Sequence, residues 1–262
     1  MGVFPWVAWY AFRRHTAYPL SAVAEALTNT VFGFMRAYIL VALWNERPSL
    51  GGYDVADAVT FCFLTQALIG PVRIFGGMEL TERIRNGDVA IDLHRPVDLQ
   101  AWWLADDLAR GTAALALRGA PPLVAGALVF DLTLPGPGTL AAFALSVALA
   151  VLTGFGIRYL VALGMFWLHD DRGLNSVALV MSLFFSGMIL PLVVFPGWLG
   201  EVARALPWAA LIQVPADVFL GKHTGTGLLG ALAFQAGWAV ALLAAGRGLT
   251  VAARRKMVIH GG

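Results

Sequence analysis

Hydrophobic positions in this chain gather into six long runs, separated by short polar stretches rich in Gly, Pro and charged residues. The runs cover residues 20–44, 55–74, about 108–130, 140–167, 176–195 and 227–251, each long enough for the ~20 apolar residues with which a helix crosses a bilayer core. The pattern predicts six transmembrane helices, the third entered through an amphipathic lead-in from Leu99. Ahead of the first run, Trp6, Trp9 and Tyr10 followed by Arg13 and Arg14 predict a short helix lying in the headgroup region. Between the last two runs, Leu199, Val202 and Leu206 stand at helical spacing in "LGEVARAL", which predicts a short helix on the outer surface. The following piece, "WAALIQVPADVFL", has two readings. It is either a loop on the headgroups or a segment dipping back to a depth where irregular backbone must be buried in protein.

The longest polar stretch, "GGMELTERIRNGDVAIDLHRPVD" at residues 76–98, separates the second run from the third. Met78, Leu80 and Ile84 interleave there with Glu79, Glu82, Arg83 and Arg85, and Leu80 with Ile84 forms one i,i+4 pair. These residues predict a short, two-signed surface helix stopped by Asn86 and Gly87, because Gly accepts the left-handed conformation that ends helices. Val89, Ile91 and Leu93 then alternate with polar residues, which predicts an extended arm. Pro96 keeps Arg95 out of helical geometry, and Asp98 is placed to cap a helix starting at Leu99. On these residues alone the element either rests on the headgroups or passes force from a cytoplasmic partner into the spans on both sides.

Composition agrees with the pattern: 59% of the 262 residues are hydrophobic, 13% are charged, and the mean hydropathy is +0.74. An ordinary soluble domain is about half apolar and a quarter charged, so the chain is read as an all-α, polytopic membrane protein forming one transmembrane domain over residues 1–262. Orientation follows the distribution of positive residues between loops. With both termini inside, the cytoplasmic segments hold Arg13, Arg14, Arg83, Arg85, Arg95, Arg172, Arg254, Arg255 and Lys256, and the outer ones only Arg47, Arg204 and Lys222. Trp44, Trp167, Trp198 and Trp208 fall near span ends, where indoles favour the interface. No cleavable signal segment is evident at the N-terminus, and a net charge of +2 does not point to nucleic acid.

Little of the sequence suggests chemistry of its own. Cys62 is the only cysteine and sits in an apolar run, and the five histidines are scattered without metal-ligand spacing, so neither a metal site nor a catalytic site is predicted. No G-x-x-x-x-G-K-[ST] occurs to cradle ATP phosphates. Ionisable residues inside spans are functional candidates because burying their charge is costly. Arg36 and Arg158 either line a pathway or form intraprotein contacts, and Asp57 lies close enough to the outer end of its span to reach water. Arg73 and Arg247 read as snorkelling anchors. Met181, Phe184, Phe185 and Met188 form a soft apolar surface suited either to lipophilic cargo or to packing, and Gln235 is the one polar side chain at depth in the last span. Gly230, Ala233 and Gly237 in that span permit close approach of another helix.

The stretch "IRNGDVAIDLHRPVDLQAWWLADDLARG" resembles a pattern that follows the second span of ABC-2 type permeases, I-R-x-G followed by L-x-R-P, through Ile84, Arg85, Gly87, Leu93, Arg95 and Pro96. "LW" closing the first span and "ILPLVVFPGWLGEVARALPW" after the fifth are similar too, so the likeness extends over nearly the whole chain. The resemblance implies the six-helix transmembrane subunit of an exporter in the cell membrane, paired with a second permease as homodimer or heterodimer. ATP and Mg2+ would then bind a separate ATPase, and this chain would need no cofactor. A coupling helix between spans two and three would dock on that ATPase through Glu79, Glu82, Arg83, Arg85, Asn86, Gly87, Arg95 and Pro96, with Asp170, Asp171 and Arg172 as a further contact. Arg36, Arg158, Phe184, Met188 and Gln235 are the candidates for the substrate path. The rival reading is a stand-alone secondary transporter or channel, which calls for intramembrane acids or spans broken alike in both halves.

Overall fold

The computed structural model describes residues 3–17, 19–48, 50–168 and 172–260, with side chains to residue 255. Among these residues the chain is helical throughout, with no strand. The helices are α1 (Phe4–Thr16), α2 (Pro19–Glu46), α3 (Val55–Val72), α4 (Glu79–Arg85), α5 (Val89–His94), α6 (Leu99–Ala114), α7 (Ala120–Ala127), α8 (Pro137–Leu168), α9 (Arg172–Phe185), α10 (Gly197–Ala205), α11 (Gln213–Phe219) and α12 (Gly225–His260).

Four of these helices, α2, α3, α8 and α12, are long and apolar enough to cross a membrane. The third predicted span is assembled from α6, a π-helical turn at Leu115–Gly119, and α7. The fifth departs from its prediction. Helix α9 has 14 residues, about 21 Å at ~1.5 Å per residue, and then leaves helical geometry at Gly187, whose φ is 86°. Ser186 accounts for the turn: its hydroxyl accepts from the Met188 amide at 3.2 Å and its carbonyl from the Gln213 amide at 2.9 Å. Hydropathy alone could not register that stop, because Met188, Ile189 and Leu190 keep the run apolar beyond it.

Helix α3 is the centre of the bundle. It opens on a capping box in which the Asp54 carboxylate accepts from the Asp57 amide at 2.8 Å and Asp57 accepts from the Asp54 amide at 3.1 Å. Phe61, Cys62, Phe63, Leu64 and Leu68 are then fully buried on every side, as a helix apolar all round requires. Small residues bring its neighbours close. A Cβ at Gly119 would stand 2.7 Å from the Ala67 carbonyl, one at Gly126 2.6 Å from the Phe63 ring, and one at Gly154 of α8 2.9 Å from the Val72 carbonyl. Against α8, helix α12 packs through Gly156 beside Leu242 and Gly246 beside Tyr159. At Gly230 and Gly237 a methyl group would meet nothing within 4 Å, so the small-residue stripe predicted for helix packing faces outward in this chain.

The polar stretch after α3 folds as two short helices. The predicted stop of α4 is present, with Asn86 as C-cap and Gly87 at φ 82°. The predicted extended arm is instead α5: only Val89 of its three alternating apolar residues is buried, Ile91 is 58% exposed, and Asp92 is held by Arg83 through Nε at 2.5 Å and Nη2 at 2.9 Å. Alternation therefore did not reflect a buried strand face. Pro96 leaves Arg95 extended at φ −68°, ψ 143°, and Asp98 caps α6 by accepting from the Ala101 amide at 2.8 Å. Leu80, Val89, Leu99 and Trp103 pack on Phe155, Tyr159 and Leu163 of α8, which fastens this element to the bundle.

At the other end α10 forms as predicted. The segment from Ala209 to Phe219, including α11, is largely buried in protein, as the reading of a segment dipping back into the membrane requires. Trp44 corrects another expectation. It is fully buried and donates through Nε1 to the Tyr53 carbonyl at 2.8 Å, whereas Trp198 is 74% exposed.

Gly119→Ala is expected to destabilise the protein by about 1–3 kcal/mol, because its methyl meets main chain that cannot turn aside. Gly237→Ala is expected to be neutral or slightly stabilising. Thermal unfolding of both variants in the same detergent checks the contrast, and equal midpoints would remove the close-approach role of Gly119.

Candidate functional site

A network of buried charge lies where α3 ends. Asp107 of α6, its side chain 4% exposed, accepts from Arg110 Nε at 2.9 Å and from Arg158 Nη2 at 2.6 Å. Both arginines also reach the last turn of α3: Arg110 donates to the carbonyls of Gly70 at 2.8 Å and Pro71 at 2.9 Å, and Arg158 donates to that of Val72. Two cations thus face one carboxylate and the negative end of a helix, whose macrodipole is equivalent to about half an elementary charge. The joint ties α3, α6 and α8 together just before the polar stretch begins. Asp107 escapes the sequence reading because the apolar run of the third span starts at about 108, and Arg110, just inside that run, is passed over although the i,i+3 spacing in "DLAR" is an ion-pair signal.

The coupling candidates divide by environment. Glu79 is bound by Arg14 of α1 at 3.5 Å, and Arg83 is bound by Asp92. Glu82, Arg85, Asn86 and Gly87 form the tip of α4, and Arg95 and Pro96 are exposed beyond α5. Arg95 stands 3.5 Å from Asp92. Arg172 is the exposed first residue of α9. Asp170 and Asp171 lie outside the described residues.

A groove of about 650 Å³ runs along α2 and α3 beside the turn after α9. It brings together Arg36, which donates through Nη2 to the Ile189 carbonyl at 3.0 Å, with Met188 and Gln66. Thr28 and Asn29 add polar groups, and an ion pair of Arg118 with Glu25 at 2.6 Å stands at one end. Gln66 is 3% exposed and its side chain has no hydrogen-bond partner among the described residues. It is the same kind of signal as Gln235, an amide inside an apolar run, and the sequence reading passes over it. Phe184 is 51% exposed on α9 and is not among the residues lining the groove.

Arg158 and Gln235 belong to the subunit interior instead. Arg158 is held by the charged joint, although it also borders a cavity of about 230 Å³ between α3, α8 and α9. Gln235 is fully buried, accepting from the Ser146 hydroxyl at 2.8 Å and donating to the carbonyls of Ser146 at 3.1 Å and Ala210 at 2.9 Å. Those bonds lock α8, α12 and the segment before α11.

The far end carries a second polar cluster. Asp57 does not reach water: it is 5% exposed and pairs with Lys222, whose ammonium also donates to the Gly52 carbonyl at 3.2 Å. Gln213 donates to the Tyr53 hydroxyl at 2.9 Å and to Asp217 at 3.0 Å, and Tyr53 donates to Asp217. Burial pushes the Tyr53 phenol well above its usual range, with Asp217 beside it adding to the rise. Arg247, read as a snorkelling anchor, is 3.3 Å from Asp98. Among the described residues no group of His, Cys, Asp and Glu is arranged to hold a metal ion.

Apolar helices joined by paired charges at one end and a polar latch at the other define a polytopic membrane protein. Residues 30–260 match the family described as ABC-2 family transporter protein, and the chain belongs to that family. No curated protein matches it significantly.

Asp107→Asn is expected to leave two guanidinium groups facing one neutral amide, at a cost of roughly 3–5 kcal/mol for a broken buried pair. A large fall in thermal midpoint and in monodisperse yield from detergent is the expected result. A wild-type unfolding curve would show that the joint carries little energy.

Proposed function

We propose that this chain is the permease subunit of an ATP-driven exporter in the cell membrane, with α4 as the coupling helix that receives a separate ATPase. Family membership implies the permease role. The observation that carries the finer reading is the tip of α4, rooted between the C-terminus of α3 and the N-terminus of α6 where Asp107 binds both arginines. A partner pushing on Glu82 and Arg85 would move that joint, and with it α3, α6 and α8 together. ATP and Mg2+ would be bound by the ATPase, since this sequence has no phosphate-binding loop.

Six crossings with both termini on the cytoplasmic side are the arrangement that contacts at the helix ends support. The Arg110 and Arg158 contacts hold the end of α3 beside α6 and α8, and Gln100 of α6 donates to the Leu243 carbonyl of α12 at 2.9 Å. The opposite end gathers the start of α3, the loop after α7 through Thr133, and the chain before α12 through Lys222. In this arrangement α6 with α7 forms one crossing, and α9 with the apolar turn that follows it forms another.

The substrate path is proposed along the groove beside Arg36, Gln66 and Met188, which is open on the side where a second permease, identical or related, would close it. Phe184 extends that face. Arg158 and Gln235 are proposed to hold the wall in shape. The stand-alone transporter is disfavoured because Asp107, buried among the spans, is committed to two arginines and offers no site for ion coupling.

Charge reversal at Glu82 or Arg85 is expected to reduce co-purification of the ATPase at least tenfold while leaving membrane insertion and thermal stability unchanged. Undiminished co-purification and ATP hydrolysis in both variants would sink the docking role. For the path, a Gln66→Cys variant in a Cys62→Ala background is expected to react with a small hydrophilic thiol reagent, and Gln235→Cys to stay unlabelled. Equal labelling of the two would place the aqueous route elsewhere.

A further inference from the structure

A cavity of about 880 Å³ lies between α1, the start of α2, the end of α3 and α6. That is within the ~300–1,000 Å³ that organic ligands occupy and far more than an inorganic anion fills. Its wall has three cations. Arg14 is shared by Glu79 at 3.5 Å and Asp106 at 2.9 Å, and Arg118 is held by Glu25 at 2.6 Å. The Arg73 guanidinium has no hydrogen bond or ion pair among the described residues, while its amide donates to the Gly70 carbonyl at 3.2 Å. It is the only described non-glycine residue with a left-handed backbone, at φ 52°, where the chain turns out of α3, and it borders both this cavity and the one of about 230 Å³. Asp107, Asp106 and Glu79 attract it through space, but each is bonded to another arginine: Glu79 and Asp106 to Arg14, and Asp107 to Arg110 and Arg158.

Two further nitrogens lack partners. Trp103 is 7% exposed and its buried Nε1 has no acceptor, and His15 Nε2 is likewise buried without one. Burial, with Arg14 next to it, pushes the His15 imidazole down to about 4, so the ring is neutral at physiological pH. Neither nitrogen presents surface to the cavity, so the cation that no carboxylate bonds, Arg73, is the group that calls for an anion. The rest of the wall is apolar, with Leu20, Ala24 and Met78, and it continues onto α2, where Leu20, Val23 and Leu27 are 81%, 53% and 62% exposed.

We propose that this cavity binds the phosphate of an anionic phospholipid, with Arg73 supplying the charge and the apolar face of α2 the seat for the acyl chains. The site does not depend on the transport reading. In it α1 closes the headgroup in against α6.

The test is a titration of the purified full-length protein in detergent with short-chain phosphatidylglycerol, read by native mass spectrometry. Saturable binding is expected, weakened roughly tenfold by Arg73→Asn, as loss of a charged hydrogen bond implies. Asn tolerates the left-handed backbone, so a loss there is not a folding effect, and Arg73→Lys is expected to keep most of the affinity. Phosphatidylcholine and inorganic phosphate are expected to bind far more weakly. Equal binding by all variants overturns the site, equal binding of phosphatidylcholine overturns the selectivity for an anion, and equal binding of inorganic phosphate overturns the lipid assignment.

Discussion

Everything at one end of this bundle depends on a carboxylate that two arginines share. A lone buried charge is costly, and the pairing of Asp107 with Arg110 and Arg158 meets part of that cost by sending further donors of both arginines to carbonyls of the last turn of α3, although Arg158 Nε stays buried without an acceptor. Helix termini leave four carbonyls without intrahelical partners, and in hydrocarbon water does not supply them. The same bonds therefore neutralise the charge, satisfy the backbone and fix three helices in register. Each of these needs the others. Replacing the network with apolar side chains would leave the α3 carbonyls unmet.

The opposite end solves the same problem with weaker parts. Asp54 caps α3 with Asp57 completing the box, Asp57 pairs with Lys222, and Tyr53, Gln213 and Asp217 bond one another while Gln213 also accepts from the Leu192 amide at 2.7 Å. Between the two ends α3 is held largely by packing, with glycines of α2, α7 and α8 admitting close neighbours. Such a bundle is stiff at its joints and apolar between them. Displacement at α4 would then be carried as a rigid tilt and not absorbed by local bending.

What the sequence made legible follows from how strong each signal is. Runs near 20 apolar residues marked α2, α3, α8 and α12 at their cores, because length and hydropathy are sums over many residues. The caps at Asp98 and Gly87 were legible because their chemistry is local. Where tertiary contact decided, the sequence was silent or misleading. The stop of α9 rests on a bond between Ser186 and Gln213, far apart in the chain, and the helicity of α5 on a bond from Arg83 to Asp92. Trp44 looked like an interfacial indole because its burial depends on Tyr53 folding over it.

The bundle's two free faces differ in a way that bears on which one meets a path. Exposed apolar side chains do not separate them, since in lipid an apolar surface gives no drive to associate. On α12, from residue 228 to 246, the polar side chains are Gln235, turned inward, and Trp238, bonded to the Ala205 carbonyl at 3.2 Å. Nothing there asks for water. The α2 side carries Thr28, Asn29, Arg36 and Gln66 along a groove, and of these Gln66 is left with its amide unmatched among the described residues. A buried amide without a partner costs free energy unless something outside the subunit bonds it. In the proposed arrangement a second permease, water or passing cargo would do so at the α2 face, while lipid tails would not, and this asymmetry favours the proposal of α2 as the wall of the path and α12 as the lipid-facing edge.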